Sequence, residues 1–99
     1  MKLKYESTLF WYDGPMLYTS LDENQNRYLS FFVSDSGVWH VLISDLMHED
    51  ILNSKIEIRD VFLAAESILV SDFEFISYSW RDKNSLDLEN LLPEKGFIL

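Results

Sequence analysis

The 99-residue chain contains no cysteine. That absence excludes disulfides, thiol nucleophiles, iron–sulfur clusters and the usual structural zinc sites, and it agrees with a reducing cytoplasm. Glycine is almost as scarce. Gly14, Gly37 and Gly96 are widely separated, so no glycine-rich loop of the usual kind can cradle a phosphate. Long apolar runs are missing too. The longest, residues 9–12 and 61–65, fall far short of the roughly 20 residues of a membrane helix. The N-terminus carries Glu6 and no apolar stretch behind Lys2 and Lys4, which does not fit a secretory leader.

Positive charge is also in short supply. Seventeen acids face eight bases, for a net charge of −9, and most of the excess lies beyond residue 44. A negative surface repels phosphate, which argues against direct binding of nucleic acid or an anionic membrane and favours a protein partner with a basic surface. Aromatic residues, by contrast, are abundant at seven Phe, five Tyr and three Trp. Most must fill the core of what the length makes a single domain, residues 1–99.

The pattern predicts an α+β fold: an antiparallel sheet of about five strands, beginning as an N-terminal meander, with two short helices inserted after the fourth strand. Residues 4–12 have the β-branched and aromatic bias of a strand, and Asp13-Gly14-Pro15 breaks it. Residues 16–21, 27–34 and 38–43 alternate with period two. Leu29, Phe31 and Val33 share one face, and Tyr28, Ser30 and Phe32 the other. The connections are a polar loop at residues 22–26 and a turn at Asp35-Ser36-Gly37. Ser44 stands where a helix N-cap belongs, opening a helix over residues 45–52 that faces Met47 and Ile51 inward, flanked by Leu46 and Leu52. Ile58, Phe62 and Ala65 space a second helix starting near Arg59 or Asp60. Residues 68–70 and 73–80 read as strand again, and residues 81–85 as a polar loop. The leucines at 86, 88, 91 and 92 suit either a short helix or an extended stretch. Phe31, Val33, Val41, Ile43, Met47, Ile51 and Phe62 are expected to form one core cluster.

Few residues suggest chemistry. His48 precedes Glu49 and Asp50, but the position four residues after His48 is Leu52, so the zinc-helix pattern fails. His40 lies on a strand beside Val38 and Leu42. A metal-assisted hydrolase using His40 and His48 would need a third ligand from elsewhere. No serine sits in a strand–turn–helix elbow. No catalytic residue, metal or cofactor is therefore expected. The residues singled out for partner binding are Asp45, Glu49 and Asp50 on the first helix, with Trp80 and Arg81 as an aromatic and guanidinium anchor.

The segments Tyr12-Asp13-Gly14-Pro15, Ile58-Arg59-Asp60-x-Phe62 and Leu92-Pro93-Glu94-Lys95-Gly96-Phe97-x-Leu99, with the Ser44-capped helix between them, give the chain a resemblance. In their order it resembles a family of small uncharacterised bacterial and phage proteins. The resemblance implies a cytosolic single-domain protein and carries over no activity. With composition and charge, the expectation is a small acidic protein-binding module. It would regulate or inhibit a macromolecular partner, in the manner of an immunity, antitoxin-like or phage anti-defence protein. The alternatives are a nucleic-acid mimic occupying a basic groove and, third, the hydrolase. The oligomeric state is left open.

Overall fold

The computed structural model describes residues 1–12, 14–33 and 37–99. The fold is α+β. Six strands, β1 (Lys4–Trp11), β2 (Pro15–Leu21), β3 (Arg27–Val33), β4 (Gly37–Ile43), β5 (Ser67–Ser71) and β6 (Tyr78–Asp82), form one antiparallel meander in sequence order. That is one strand more than the about five expected. The turn expected at Asp13-Gly14-Pro15 and the one at Asp35-Ser36-Gly37 fall partly outside the described residues.

Helix α1 (Asp45–Leu52) and helix α2 (Ile58–Leu63) follow β4. The Ser44 hydroxyl accepts the Met47 amide at 3.1 Å, which satisfies one of the free N–H groups of the first turn. Helix α2 starts at Ile58, ahead of the expected Arg59 or Asp60, and ends at Leu63. In the leucine-rich stretch a short helix α3 (Leu88–Leu91) takes Leu88 and Leu91, Leu86 and Leu92 on either side are extended, and Leu88 and Leu92 are buried.

The helices cover the outer face of the sheet. There Leu29, Val33, Trp39, Val41, Ile43 and Ile68 pack with Ile51, Ile58, Phe62, Leu88 and Leu92. Of the expected core cluster, Val33, Val41, Ile43, Ile51 and Phe62 belong to it, while Phe31 and Met47 are half-buried against it. Leu46 and Leu52, expected to flank the inward face of α1, are exposed instead. On a helix of eight residues a single stripe is all the sheet can cover. The C-terminal tail closes this layer. Phe97 packs edge-on against Phe10 at 5.3 Å and accepts the Ile58 amide at 3.0 Å, and the Ser54 hydroxyl donates to the Leu99 carbonyl.

The stretch from residue 73 to 80, expected as one strand, is a tight connection followed by β6. The Asp72 carboxylate accepts the Ile76 and Ser77 amides at 2.8 and 3.1 Å, and Phe75 takes a left-handed φ of 58°. An aspartate that bonds its own backbone in this way stabilises a turn against a continued strand.

Strand β1 is irregular, with register shifts between Tyr5 and Ser7, between Thr8 and Phe10, and between Phe10 and Trp11. Such bulges bend a strand and increase local twist. The Glu6 carboxylate anchors the bent strand. It receives Arg27 Nε at 2.8 Å, Arg27 Nη2 at 2.9 Å and the Thr19 hydroxyl at 2.8 Å. The same guanidinium reaches Asp45 at 3.1 Å, so one arginine ties β1, β3 and the start of α1 together.

Candidate apolar pocket on the inner face of the sheet

The face of the sheet away from the helices would be solvated if the sheet were flat. It is instead largely buried: His40, Ser30, Ser20, Leu69 and Ser71 are all within 2 % of full burial. The cause is curl. The Leu3 amide donates to the Tyr78 hydroxyl at 3.4 Å, which brings the entry to β1 against β6 at the far end of the strand order. Five ordinary inter-strand spacings would hold the outer strands of a flat sheet about 24 Å apart. The inner face is therefore a concave surface whose two margins meet.

A pocket of about 470 Å³ opens in this concavity. Tyr18, Ser20 and Val38 form its floor, at 6, 2 and 1 % exposure. Tyr5 stands on one rim, and Phe73 and Phe75 on the other, delivered there by the Asp72 turn. The rim residues are roughly half exposed, from 42 % at Phe75 to 56 % at Tyr5. The rings meet at tilted angles on the walls: the Tyr5 ring centre lies 5.8 Å from that of Tyr18, and Phe73 lies 4.7 Å from Phe32. Among the described residues no charged side chain lines the pocket.

Beside the floor, along the same inner face, runs a chain of hydrogen bonds across four strands. Ser20 Oγ lies 2.8 Å from Ser30 Oγ, Ser30 Oγ 2.6 Å from His40 Nδ1, and His40 Nε2 2.9 Å from Ser71 Oγ. The spacing follows from register, because Ser30 stands opposite His40 and both point inward. Burial pulls the His40 imidazole down to a pKa of about 4. It is neutral at pH 7, with one nitrogen donating and the other accepting. A base that weak removes protons poorly at neutral pH, and both its nitrogens are already engaged by serine hydroxyls. The chain satisfies a polar strip in an apolar interior, which is a packing role.

Tyr18 differs from these four. Its side chain lines the pocket, while its hydroxyl oxygen is shut off from solvent on the side of Ser30. Desolvation, with a smaller contribution from the nearby Tyr78, pushes its pKa up to about 12, so the phenol keeps its proton.

The residues singled out from sequence are dispersed over the molecule. Asp45 and Glu49 are exposed on α1 and Asp50 is half-buried there. Asp45 is the exposed end of the Arg27 bridge. Trp80 is opposite Leu69, and Leu69 opposite His40, so Trp80 belongs to the inner face, at 49 % exposure. Arg81 is opposite Ile68 of the outer core, and its Nε donates to Ser79 Oγ at 3.2 Å. Trp80 and Arg81 thus stand on opposite faces, and Trp80 and the α1 acids do too. His40 and His48 are likewise separated, one inside the curl and one on α1. Among the described residues no three His, Cys, Asp or Glu side chains gather as a metal site. No described helix is long and apolar enough to cross a membrane.

Sequence reasoning missed the pocket itself. Tyr18, Ser20 and Val38 read as an ordinary inner face of a meander. The available signal was the aromatic surplus on that face, which exceeds what one small core can enclose. Comparison with protein-family models, with curated proteins and with solved structures found no match to this chain.

Proposed function

We propose that the protein is a binding protein rather than an enzyme, and that its site is the pocket inside the curl of the sheet. The ligand is a compact apolar molecule. The observation that carries this reading is the pocket's make-up: about 470 Å³ of space lined, among the described residues, by uncharged side chains, aromatic at the rim, with two hydroxyl side chains in the floor. Small-molecule sites span roughly 300–1,000 Å³ and combine apolar walls with a few polar groups. A cavity of about 150 Å³ holds benzene, so the space suits about two or three fused or linked rings. Half-exposed rings at the rim gain burial when a ligand covers them. Titration with a small aromatic compound, followed by amide chemical shifts, tests the reading. Shifts centred on Tyr18, Ser20, Val38 and Phe75 support it, and shifts spread evenly over the surface refute it.

A second reading keeps the protein-binding module that regulates or inhibits a partner. It is favoured by a different surface. Leu46 is 75 % exposed on α1, between Asp45 and the pair Glu49 and Asp50. An apolar side chain ringed by acids fits a protein with a basic surface, and a chain of net charge −9 disfavours self-association there. Changing Leu46 to Ser should weaken such a partner without touching the pocket.

A further inference from the structure

We infer that the ligand of the inner pocket is an amine: an apolar body fills the pocket, and an ammonium group is held at the mouth by the rim rings and the Glu74 carboxylate. The inference rests on the pocket reading above and adds the ligand's charge.

Five aromatic rings line the pocket, and those of Tyr5, Phe73 and Phe75 are 42–56 % exposed at its mouth. An aromatic ring has a negative face, so a cation gains by lying over it, within about 6 Å of the ring centre. The two phenylalanines come from one turn. The Phe75 amide donates to the Asp72 carbonyl at 3.2 Å, which leaves Phe73 and Glu74 at the tip. Asp72 uses one carboxylate oxygen to hold that turn through the Ile76 and Ser77 amides. Glu74 lies outside the pocket lining, exposed, and next in sequence to both rim rings. Consecutive Cα atoms are about 3.8 Å apart, so the Glu74 side chain can reach an ammonium that lies over either ring.

The strand of the opposite rim turns its lysine away. Leu3 and Tyr5 line the pocket, but Lys4 between them stands in register with Leu21, Arg27 and Ile43, and Ile43 packs in the outer core. Lys4 is therefore on the other face of the sheet, as is Arg81. A net charge of −9 also raises the concentration of cations around the molecule. The ammonium belongs at the mouth, where it keeps part of its water. Carrying it onto the buried floor would cost that hydration.

Three probes of similar size separate the charge from the body. At pH 7 benzylamine is a cation, benzyl alcohol is neutral and benzoate is an anion. Their dissociation constants are measured by amide chemical shifts on the full chain at low salt. Benzylamine is expected to bind about threefold to tenfold more tightly than benzyl alcohol, the worth of a cation over a ring beside an exposed carboxylate. Benzoate, which Lys2 beside Leu3 would attract, is expected to bind more weakly than either. The preference for benzylamine should fall about twofold to fivefold in Glu74→Gln. It should stay within about 1.5-fold in Glu49→Gln, which removes the same charge from the exposed face of α1, beyond a screening length from the pocket. Benzyl alcohol or benzoate binding as tightly as benzylamine would overturn the amine while leaving the pocket reading intact. An equal loss in Glu74→Gln and Glu49→Gln, or no loss in Glu74→Gln, would overturn the Glu74 assignment. Failure of all three probes to shift the pocket amides would overturn the pocket reading as well.

Discussion

The Leu3 amide and the Tyr78 hydroxyl, 3.4 Å apart, join the two ends of a six-stranded sheet. The sheet is a meander, so nothing in its connectivity brings β1 near β6. Curvature does, and the bulged β1 supplies part of it. The inner face becomes an enclosure, and that converts an ordinary row of Tyr, Ser and Val side chains into a floor with a pocket above it.

Acid should expose this burial. His40 titrates near 4 in the folded chain against about 6.5 unfolded, so the unfolded state takes up the proton first as pH falls. Stability held above about pH 6.5 should therefore be lost progressively toward pH 4. Glu6 is held down to about 2, first by its hydrogen bonds from Arg27, against an ordinary value of 4.5. Its contribution is present above pH 4.5 and should fade toward pH 2. Urea midpoints across this range should show both losses. A His40 ring proton titrating near 6.5 in the native state would contradict the neutral inner chain.

Arg27→Ala should cost about 1–2 kcal/mol, since it breaks a paired carboxylate contact that is only partly shielded from water. The effect should be local. Hydrogen exchange is expected to accelerate in β1 first, because Glu6 is what fastens that strand to β3. Exchange rising equally in β5 and β6 would argue against this role.

Gly37 has a φ of +93°, and a Cβ there would run into the Ser71 carbonyl oxygen of the neighbouring strand. Gly37→Ala should lose about 2 kcal/mol or more, from strain and close contact together. On the outer layer, Phe62→Ala should cost roughly 3–5 kcal/mol because Phe62 is fully buried. Leu46→Ser, at a side chain that is 75 % exposed, should change stability by less than about 0.5 kcal/mol. Thermal or urea unfolding of the three variants reads all of this directly.

The outer layer was legible because each side chain obeys a short period. Leu29, Val33, Val41 and Ile43 alternate along their strands, and Ser44 announces α1. The inner face was not, because period-two alternation says which residues share a face and nothing about how far the sheet bends. Phe73 and Phe75 misled for a related reason. Their aromatic character favours strand, and the single carboxylate of Asp72 overrides it through two backbone hydrogen bonds. The acids of α1 and Trp80 looked like parts of one surface because sequence does not reveal that the sheet lies between them.

The central claim is that an apolar molecule sits on the inner face, above Tyr18 and Val38. Intermolecular nuclear Overhauser effects between saturating acetophenone and the protein test it most directly. The account predicts contacts from the ligand's ring protons to Tyr5, Val38 and Phe75, all lining the one pocket. Contacts only to Leu46 and Leu52, the exposed leucines of α1, would contradict it and place the binding surface on the other side of the sheet.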